Sequence, residues 1–246
     1  MIITGVIPAR FASTRFPGKP LITISGKSMI QRVYEQAQKS KLISSVIVAT
    51  DDKRIFECVN SFGGEAVMTS PKHRSGTDRI HEAVKNIKCG IVVNIQGDEP
   101  FIEPDNIDMA IEPLLKDKKL NVSTLAVRIR DLSEVRDPGI VKVIFDRKMN
   151  TVYFSRGILP YNADIADKKA DVKSKIRFYK HIGLYVYRKK FLSEFVNMKK
   201  SQLEESEKLE QLRIIENGEK IRIVITGKDS VSVDTPDDLK RILRNL

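Results

Sequence analysis

Short apolar runs alternate with amphipathic helical patterns through the first half of the chain, and this alternation constrains the fold more than any other feature. The apolar runs at residues 2–8, 46–50 and 91–95 are typical of buried strands. Helical patterns occupy residues 28–39, 54–62, 77–87 and 105–115. This order predicts an α/β fold with a mostly parallel central sheet, right-handed crossovers and helices on both faces.

The second half predicts a β-rich region. Strand patterns occur at residues 122–129, 141–145, 151–155, 181–187, 221–226 and 231–233. Helical patterns occur at residues 204–217 and 237–246, and the polar stretch 162–175 is expected to be a loop. A chain of 246 residues is near the upper end of one domain, and we expect a single domain over residues 1–246.

A cationic turn follows the first predicted strand. It holds Arg10, Arg15 and Lys19 beside the hydroxyls of Ser13 and Thr14, with almost no apolar anchor. These cations repel one another unless an anion lies between them, and backbone amides in such a turn add an anion-binding concavity. The turn matches neither G-x-x-x-x-G-K-[ST] nor G-x-G-x-x-G. We interpret it as a cradle for a triphosphate; the alternative is a solvated cationic turn.

Two acids are predicted to meet at the same edge of the sheet. Asp98 directly follows the strand at 91–95, and Asp234 follows the run at 231–233. Ligands of parallel sheets bind beyond the carboxyl ends of the strands, and Mg²⁺ uses one or two carboxylates together with substrate phosphates. A shared magnesium ion is therefore predicted. The alternatives are an acidic turn and a helix start capped by Asp234 or Thr235.

Other polar positions have structural alternatives of their own. Thr50 and Asp51 end a strand in what is otherwise an ordinary capping turn, and Ser75-Gly76-Thr77 either holds a ribose or base through backbone contacts or serves as a bare N-cap. Arg156 and His181, like the polar pair Glu210 and Gln211 between leucines, are singly more typical of satisfied buried polar groups.

Composition bounds the partners and the compartment. The net charge of +11 is compatible with nucleic acid, a membrane surface or small anions, but the lysines are scattered and aromatic residues are not interleaved with them. No transmembrane-length apolar run or signal peptide is recognised. Cys58 and Cys89 lack metal-ligand spacing and read as buried reduced thiols, which predicts a cytoplasmic protein.

Taken together and in order, the motifs resemble those of the 3-deoxy-manno-octulosonate cytidylyltransferases, which make CMP-Kdo for lipopolysaccharide. The resemblance runs from Ile7 to the last helix, and each motif is weak alone. The matching segments are Ile7-Pro8-Ala9-Arg10, Ser13-Thr14-Arg15, Pro17-Gly18-Lys19-Pro20-Leu21, Ala49-Thr50-Asp51, Ser75-Gly76-Thr77 with Arg79, Asn94-Ile95-Gln96-Gly97-Asp98-Glu99-Pro100, Tyr153-Phe154-Ser155-Arg156, His181-Ile182-Gly183, Leu209-Glu210-Gln211-Leu212-Arg213 and Val233-Asp234-Thr235-Pro236.

The resemblance implies a role for each group of residues. Lys19, Asp98 and Asp234 are similar to the family's catalytic residues, the two acids being its magnesium pair. The implied CTP contacts are Ala9, Arg10, Ser13, Arg15, Lys19, Thr50, Asp51, Arg74, Ser75, Gly76 and Thr77. The implied sugar-acid contacts are Gln96, Arg156, His181, Tyr185, Glu210 and Gln211.

The same resemblance implies the reaction and a separate role for each of two regions of the chain. The anomeric hydroxyl of 3-deoxy-D-manno-octulosonate (Kdo) would attack the α-phosphorus of CTP, and pyrophosphate would leave. Residues 1–118 and 219–246 would form the nucleotide-binding core of a nucleotide-diphospho-sugar transferase fold, and residues 119–218 the sugar-binding and dimerisation region. A homodimer with CTP and Kdo as its small-molecule partners is expected, with no nucleic acid and no membrane insertion.

The chain also departs from the family pattern. Arg74 stands where glutamine is usual and Asp78 where glutamate is common, and residues 158–161 (Ile-Leu-Pro-Tyr) replace Thr-Ile-Pro-Trp near the sugar site. Kdo and its 8-amino variant are not separated by these differences. The competing interpretations are an acylneuraminate cytidylyltransferase, a basic nucleic-acid-binding module and a catalytically inactive nucleotide-binding relative.

Overall fold

A twisted sheet with helices on both faces makes up the computed structural model, which describes residues 1–12, 16–167 and 176–244. The strands are β1 (Ile3–Ala9), β2 (Thr23–Ile24), β3 (Lys27–Ser28), β4 (Ser45–Thr50), β5 (Glu65–Met68), β6 (Ile91–Asn94), β7 (Val122–Arg128), β8 (Lys142–Phe145), β9 (Thr151–Ser155), β10 (Tyr179–Arg188) and β11 (Ile221–Thr226). The helices are α1 (Met29–Gln38), α2 (Lys53–Ser61), α3 (Gly76–Val84), α4 (Pro104–Lys116), α5 (Leu132–Arg136), α6 (Ala163–Ala166), α7 (Lys189–Asn197), α8 (Gln202–Glu207), α9 (Leu212–Glu216) and α10 (Pro236–Leu243), and Lys19–Leu21 forms a 3₁₀ turn.

The large sheet has the order β11-β7-β10-β6-β1-β4-β5. β1 pairs in parallel with β4 and β6, β4 with β5, and β7 with β11, whereas β10 is antiparallel to β6 and β7. β8 and β9 form an antiparallel ribbon joined to β10, and β2 pairs with β3 in a separate hairpin. The predicted α/β class with a mostly parallel sheet is confirmed.

The sheet is covered because successive side chains of each strand point to opposite faces. In β1, Ile3 and Ile7 enter a core with α1, α2 and α4, whereas Val6 enters a second core with α3, α7 and α9. The strands buried on both faces read as continuous apolar runs, as parallel strands do. Both cores hold the carboxyl ends of β1, β4 and β6 at one edge.

Several element predictions need correction. Residues 204–217 form two helices, α8 and α9, because Lys208 takes a left-handed φ of 56° between them. The run 231–233 forms no regular strand. Ala163–Ala166 is helical inside the predicted loop, and the rest of that loop lies largely outside the described residues. Helix α7 was not predicted.

The described helices include none that is long and apolar enough to cross a bilayer. Residues 119–218 contribute β7 and β10 to the same sheet as β1 and β6. Their assignment to sugar binding and dimerisation stays a prediction.

Candidate active site

A cleft of about 250 Å³ opens where β1 and β6 end. It combines cations, acids and backbone from loops distant in sequence, as expected at the carboxyl edge of a parallel sheet. Its lining residues are Pro8, Ala9, Arg10, Lys19, Pro20, His73, Arg74, Ser75, Gly76, Arg79, Gln96, Gly97, Asp98 and Asp234. Nine of the predicted site residues thus line one cavity: Ala9, Arg10, Lys19, Arg74, Ser75, Gly76, Gln96, Asp98 and Asp234.

Lys19 links the two predicted metal acids. Its Nζ lies 2.8 Å from Asp98 Oδ2 and 3.1 Å from Asp234 Oδ1, and its side chain is only 13% exposed. Lys19 starts the 3₁₀ turn directly after Gly18, whose φ of 71° is left-handed. An added Cβ on Gly18 would lie 3.1 Å from the ring of Phe11, so glycine fits both the backbone and the space. The two carboxylates therefore converge on one cation.

Asp98 and Asp234 are held together by backbone as well as by Lys19. The Val233 N–H donates to the Asp98 carbonyl at 2.8 Å. Thr235 caps α10 in a reciprocal capping box with Asp238. The alternative of Asp234 as the helix cap is therefore resolved in favour of Thr235, and the Asp234 carboxylate is directed to Lys19 instead.

The donor set fits a divalent cation. Within residues 1–12, 16–167 and 176–244, no group of three or more histidine, cysteine or acidic side chains converges as metal ligands. Two carboxylates that already share an ammonium group can hold Mg²⁺, which takes its remaining ligands from phosphates and water. The pair alone is a weak site, which matches a metal that binds together with a nucleotide.

The amino terminus of α3 supplies a second wall. Ser75 caps this helix by accepting from the Asp78 N–H at 3.1 Å, and Gly76 and exposed Arg74 border the cleft. Free N–H groups at a helix start favour anions. Thr77 is buried, and its hydroxyl donates to Glu210 Oε2 at 2.5 Å. Ser75 and Gly76 are thus in the cleft, whereas Thr77 lies behind it.

Arg79 lines the cleft, although the sequence did not predict it as a site residue. Its guanidinium lies 3.2 Å from Asp51 Oδ2 and donates to Thr69 Oγ1 at 2.5 Å. Thr50 is fully buried, and neither it nor Asp51 lines the cleft. Asp51 therefore acts on the cavity through Arg79. A lone arginine in the apolar stripe of a helix was the available sequence signal.

Gly97 and Pro8 also line the cleft without having been predicted. A Cβ added to Gly97 would lie 3.0 Å from the Pro8 carbonyl oxygen, so a larger residue would crowd this close approach of the two strand ends. His73, another lining residue that was not predicted, forms a hydrogen bond with Glu82 through Nε2. Its position depends on long-range folding that no local pattern reports.

The predicted sugar contacts lie around β10 rather than in the cleft itself. Gln96 alone lines the cleft and donates to the Gly183 carbonyl at 3.0 Å. The His181 ring contacts the Phe154 and Tyr185 rings at centroid distances of 5.0 and 5.1 Å. Among the described residues, the buried Tyr185 hydroxyl has no hydrogen-bond partner. It is a free polar group in the interior.

Arg156, Glu210 and Gln211 occupy a neighbouring layer. The Arg156 Nε donates to the Glu207 carbonyl at 2.9 Å, and one of its terminal nitrogens donates to the Pro138 carbonyl at 3.0 Å. Burial raises the pKa of Glu210, although hydroxyl donors oppose this. Gln211 is buried at the start of α9. Arg156, Glu210 and Gln211 do not line the cleft that holds Lys19.

Glu99 is an unusual acid beside the site. It is 6% exposed and accepts a hydrogen bond from the Ser230 hydroxyl. Burial raises the pKa of Glu99 to about 7, with the charges of Asp98, Asp229 and Asp234 acting in the same direction. The predicted contacts Ser13 and Arg15 lie outside the described residues.

A mostly parallel sheet with a cleft of cations and acids at its carboxyl edge is the architecture of a nucleotidyltransferase, and solved structures agree. The chain superposes with a TM-score of 0.92 and 39% identity on a structure described as CMP:2-keto-3-deoxy-manno-octonic acid synthetase complexed with CTP, covering 100% of this chain and 98% of the other. A 4-diphosphocytidyl-2C-methyl-D-erythritol synthase of Anaerococcus prevotii, at 16% identity and a TM-score of 0.63, covering 99% of this chain and 97% of that one, shares the fold.

Proteins related in sequence identify the family of nucleotidyltransferases to which the chain belongs. The profile of the cytidylyltransferase family matches residues 4–221. The 3-deoxy-manno-octulosonate cytidylyltransferase of Pelobacter propionicus is 53% identical over 97% of this chain and 95% of its own length. That of Geobacter metallireducens is 50% identical over 100% of this chain and 98% of its own. The chain belongs to the 3-deoxy-manno-octulosonate cytidylyltransferase family.

Proposed function

We propose that the chain transfers CMP from CTP to Kdo in a magnesium-dependent reaction that releases pyrophosphate and activates Kdo for lipopolysaccharide synthesis. The observation that carries the proposal is the convergence of Asp98 and Asp234 on one cation, Lys19 Nζ, in the cleft. The full-length likeness to enzymes named for this reaction supports the choice of substrates.

The cationic side of the cleft would hold the triphosphate. Arg10 and Arg74 are exposed at its border, and Lys19 is mostly buried between the acids. Gly76 at the start of α3 adds N–H donors. Phosphoryl transfer needs little covalent help from a protein, so positioning and charge neutralisation supply most of the catalysis. Ser13 and Arg15 are proposed to complete this side.

Asp98 and Asp234 would hold the magnesium ion. When bound, it neutralises charge on the phosphates and acidifies a nearby hydroxyl. The Lys19 ammonium group lies within 3.1 Å of both acids, and phosphates bound to the ion that these acids hold would come within its reach. Asp51 would serve the nucleotide indirectly, because it pairs with Arg79 in the cleft wall.

The sugar acid would bind next to the nucleotide, toward β10. Gln96 reaches both the cleft and Gly183 of β10. Tyr185 offers a buried hydroxyl without a partner in the described chain, and burial raises the pKa of this tyrosine, with Tyr187 and the charge of Glu210 acting in the same direction. Arg156 is proposed to pair with the sugar carboxylate, which requires its guanidinium to exchange backbone carbonyls for the ligand. His181 and Gln211 would shape the pocket.

We infer a cytoplasmic homodimer built on the second half of the chain. Val152 of β9, at the edge of the β8–β9 ribbon, is 52% exposed, and Tyr161, in the segment that follows β9, is 72% exposed. An exposed strand with apolar side chains favours pairing with another chain. Cys58 and Cys89 are both free, as in reducing compartments. Sedimentation equilibrium of the protein and of Val152→Glu tests the dimer; the variant should be monomeric, and an unchanged mass would refute this interface.

Pyrophosphate release tests the reaction. Purified protein is mixed with CTP, Mg²⁺ and Kdo, 8-amino-Kdo or an N-acylneuraminate in separate reactions. Kdo or its 8-amino variant should give stoichiometric CMP-sugar, and release with the neuraminate alone would refute the proposed substrate. No release with any sugar acid would refute the function.

The two acids should be equally necessary. Asp98→Asn or Asp234→Asn keeps side-chain shape but removes one negative ligand, so turnover should fall at least a hundredfold. Asp237→Asn, which changes an acid that is 87% exposed one turn away, is the matched control and should retain wild-type turnover. Normal turnover in either active-site variant, with an unchanged circular dichroism spectrum, would refute a shared metal.

A further inference from the structure

The segment that ends at Asp234 lacks a strand ladder to hold it in place. Residues 227–233 connect β11 to α10 without regular secondary structure. Asp98, in contrast, follows β6, which pairs with β1 and β10 on its two sides. The distance between the two carboxylates therefore depends on how this connecting segment is attached to the rest of the protein.

Two kinds of attachment hold the segment: contacts with neighbouring elements, and hydrogen bonds to the loop that carries Asp98. The first kind includes the ion pair of Asp229 with Lys180 at 2.7 Å and the bond from the Asn106 side chain to the Lys228 carbonyl at 3.0 Å. At its exposed end, Lys228 pairs with Glu103 and Asp105, at 3.1 and 2.9 Å. Closer to Asp234, the Ser230 hydroxyl donates to Glu99 Oε2. The Val233 N–H then donates to the carbonyl of Asp98. The second kind of attachment thus joins the segment directly to the loop that carries Asp98.

These attachments differ in strength. The side chain of Lys228 is 49% exposed, and solvent-exposed ion pairs contribute little. Glu99 is almost completely buried, and a hydrogen bond to a buried carboxyl group is costly to remove. Glu99 is also the residue next to Asp98 in the chain. A displacement of Glu99 therefore also displaces Asp98, because one peptide unit joins the two residues.

We propose that Ser230 and Glu99 are positioning residues that set the spacing of Asp98 and Asp234, and hence the affinity for the divalent cation. The proposal rests on the proposed function only in that the cation is the one used in CMP transfer. Neither residue contacts the reacting atoms. Groups that orient metal ligands typically change metal affinity or activity by about 10- to 100-fold when they are removed.

The first experiment measures the Mg²⁺ concentration for half-maximal CMP transfer at saturating substrates. Ser230→Ala removes the hydroxyl and should raise this concentration about tenfold. Ser230→Thr keeps the hydroxyl and should stay within about threefold of wild type. Lys228→Ala is the matched control on the same segment and should stay within about twofold, since only exposed pairs are lost.

The second experiment does not require turnover. Amide hydrogen exchange of Val233 reports whether the segment stays attached to the Asp98 loop. Ser230→Ala should increase the exchange rate of this amide by roughly tenfold or more while amides of β1 and β6 keep their protection. A protein inactive with every sugar acid would refute the proposed function, yet this exchange comparison would still test the attachment.

Two results would overturn the positioning role. One is a folded Ser230→Ala protein with wild-type Mg²⁺ dependence and wild-type exchange at Val233. The other is a Lys228→Ala protein that shifts the Mg²⁺ dependence as much as Ser230→Ala does, which would indicate general loosening of the segment.

Discussion

His181 should make the protein less stable in acid by an amount that can be worked out. The ring lies on β10 against Phe154 and Tyr185, and Nε2 is 2.9 Å from Thr124 Oγ1. The Thr124 hydroxyl has one proton and lies 2.7 Å from the Leu184 carbonyl. If Thr124 donates there, His181 donates through Nε2, and burial of the ring favours its neutral form. Burial lowers the pKa of His181 to about 3.

The direction in which stability changes with pH follows from the pKa of His181 in the unfolded chain and in the folded protein. In the unfolded chain the histidine takes up a proton below its ordinary pKa of 6.5, whereas the folded protein resists protonation until about pH 3. Stability is therefore lost as the pH falls from 6.5 toward 3, at up to about 1.4 kcal/mol per pH unit. Between about pH 7.5 and pH 5 the loss from this one residue is about 2 kcal/mol.

Urea unfolding of wild type and His181→Gln at both pH values isolates this contribution. Glutamine can still donate to Thr124 but cannot become charged, and its constant packing cost cancels between the two pH values. Glu99, whose raised pKa acts in the opposite direction, is present in both proteins and also cancels. Wild type should lose about 2 kcal/mol more than the variant on acidification. Equal losses would show that His181 titrates alike in the folded and unfolded chains, and the reasoning would be wrong.

Three further predictions concern other cations. Lys19→Ala should raise the KM for CTP more than that for the sugar acid, because its charge faces the phosphates; equal increases in steady-state assays would indicate a misfolded loop. Arg156→Ala should raise the sugar KM roughly ten- to a hundredfold with little change for CTP, and Arg156→Lys should restore only part; an unchanged sugar KM would remove Arg156 from the pocket. Lys142 is fully buried and donates to the carbonyls of Asp137, Ile140 and Arg156 at 2.8, 2.6 and 2.6 Å. Lys142→Met should therefore lower the free energy of unfolding by about 3 kcal/mol or more in urea titrations. A change below about 1 kcal/mol would contradict this.

The Arg156 prediction has a structural consequence of its own. Arg156 already donates to the Glu207 and Pro138 carbonyls, and its own carbonyl accepts from Lys142. Its backbone is thus held independently of its side chain. Loss of the guanidinium should therefore change sugar binding without releasing the end of β9, and thermal unfolding of Arg156→Ala checks this.

Local pattern was sufficient for β1, β4, β6 and helices α1 to α4 of the first half, whereas the short strands β2, β3 and β5 were not predicted. The runs that form β1, β4 and β6 are apolar because both faces of each strand are buried. Burial on both faces requires consecutive apolar residues, which are visible in the sequence. The same holds for the cationic turn with Lys19 and for Asp98, since both directly follow such strands. A rule about the carboxyl edge of parallel sheets then predicted a shared site.

The rest depended on contacts between distant residues. Asp234 was expected at the end of a strand, but residues 230–233 are irregular and are attached by bonds from Ser230 to Glu99 and from Val233 to Asp98 instead. Arg79 lines the cleft, and its guanidinium pairs with Asp51 on another loop. Lys142 can be buried because its ammonium group donates hydrogen bonds to three carbonyls, two in the turn at residues 137–140 and that of Arg156 after β9.

Strand burial and turn chemistry act over a few neighbouring residues, so local patterns are enough to predict which residue types stand at the ends of the strands. Which of these residues meet depends on long-range packing. The ion pairs of Lys19 with Asp98 and Asp234 join three segments far apart in the chain. Such pairings are chosen by the packing of the whole sheet, and no short stretch of sequence records that choice.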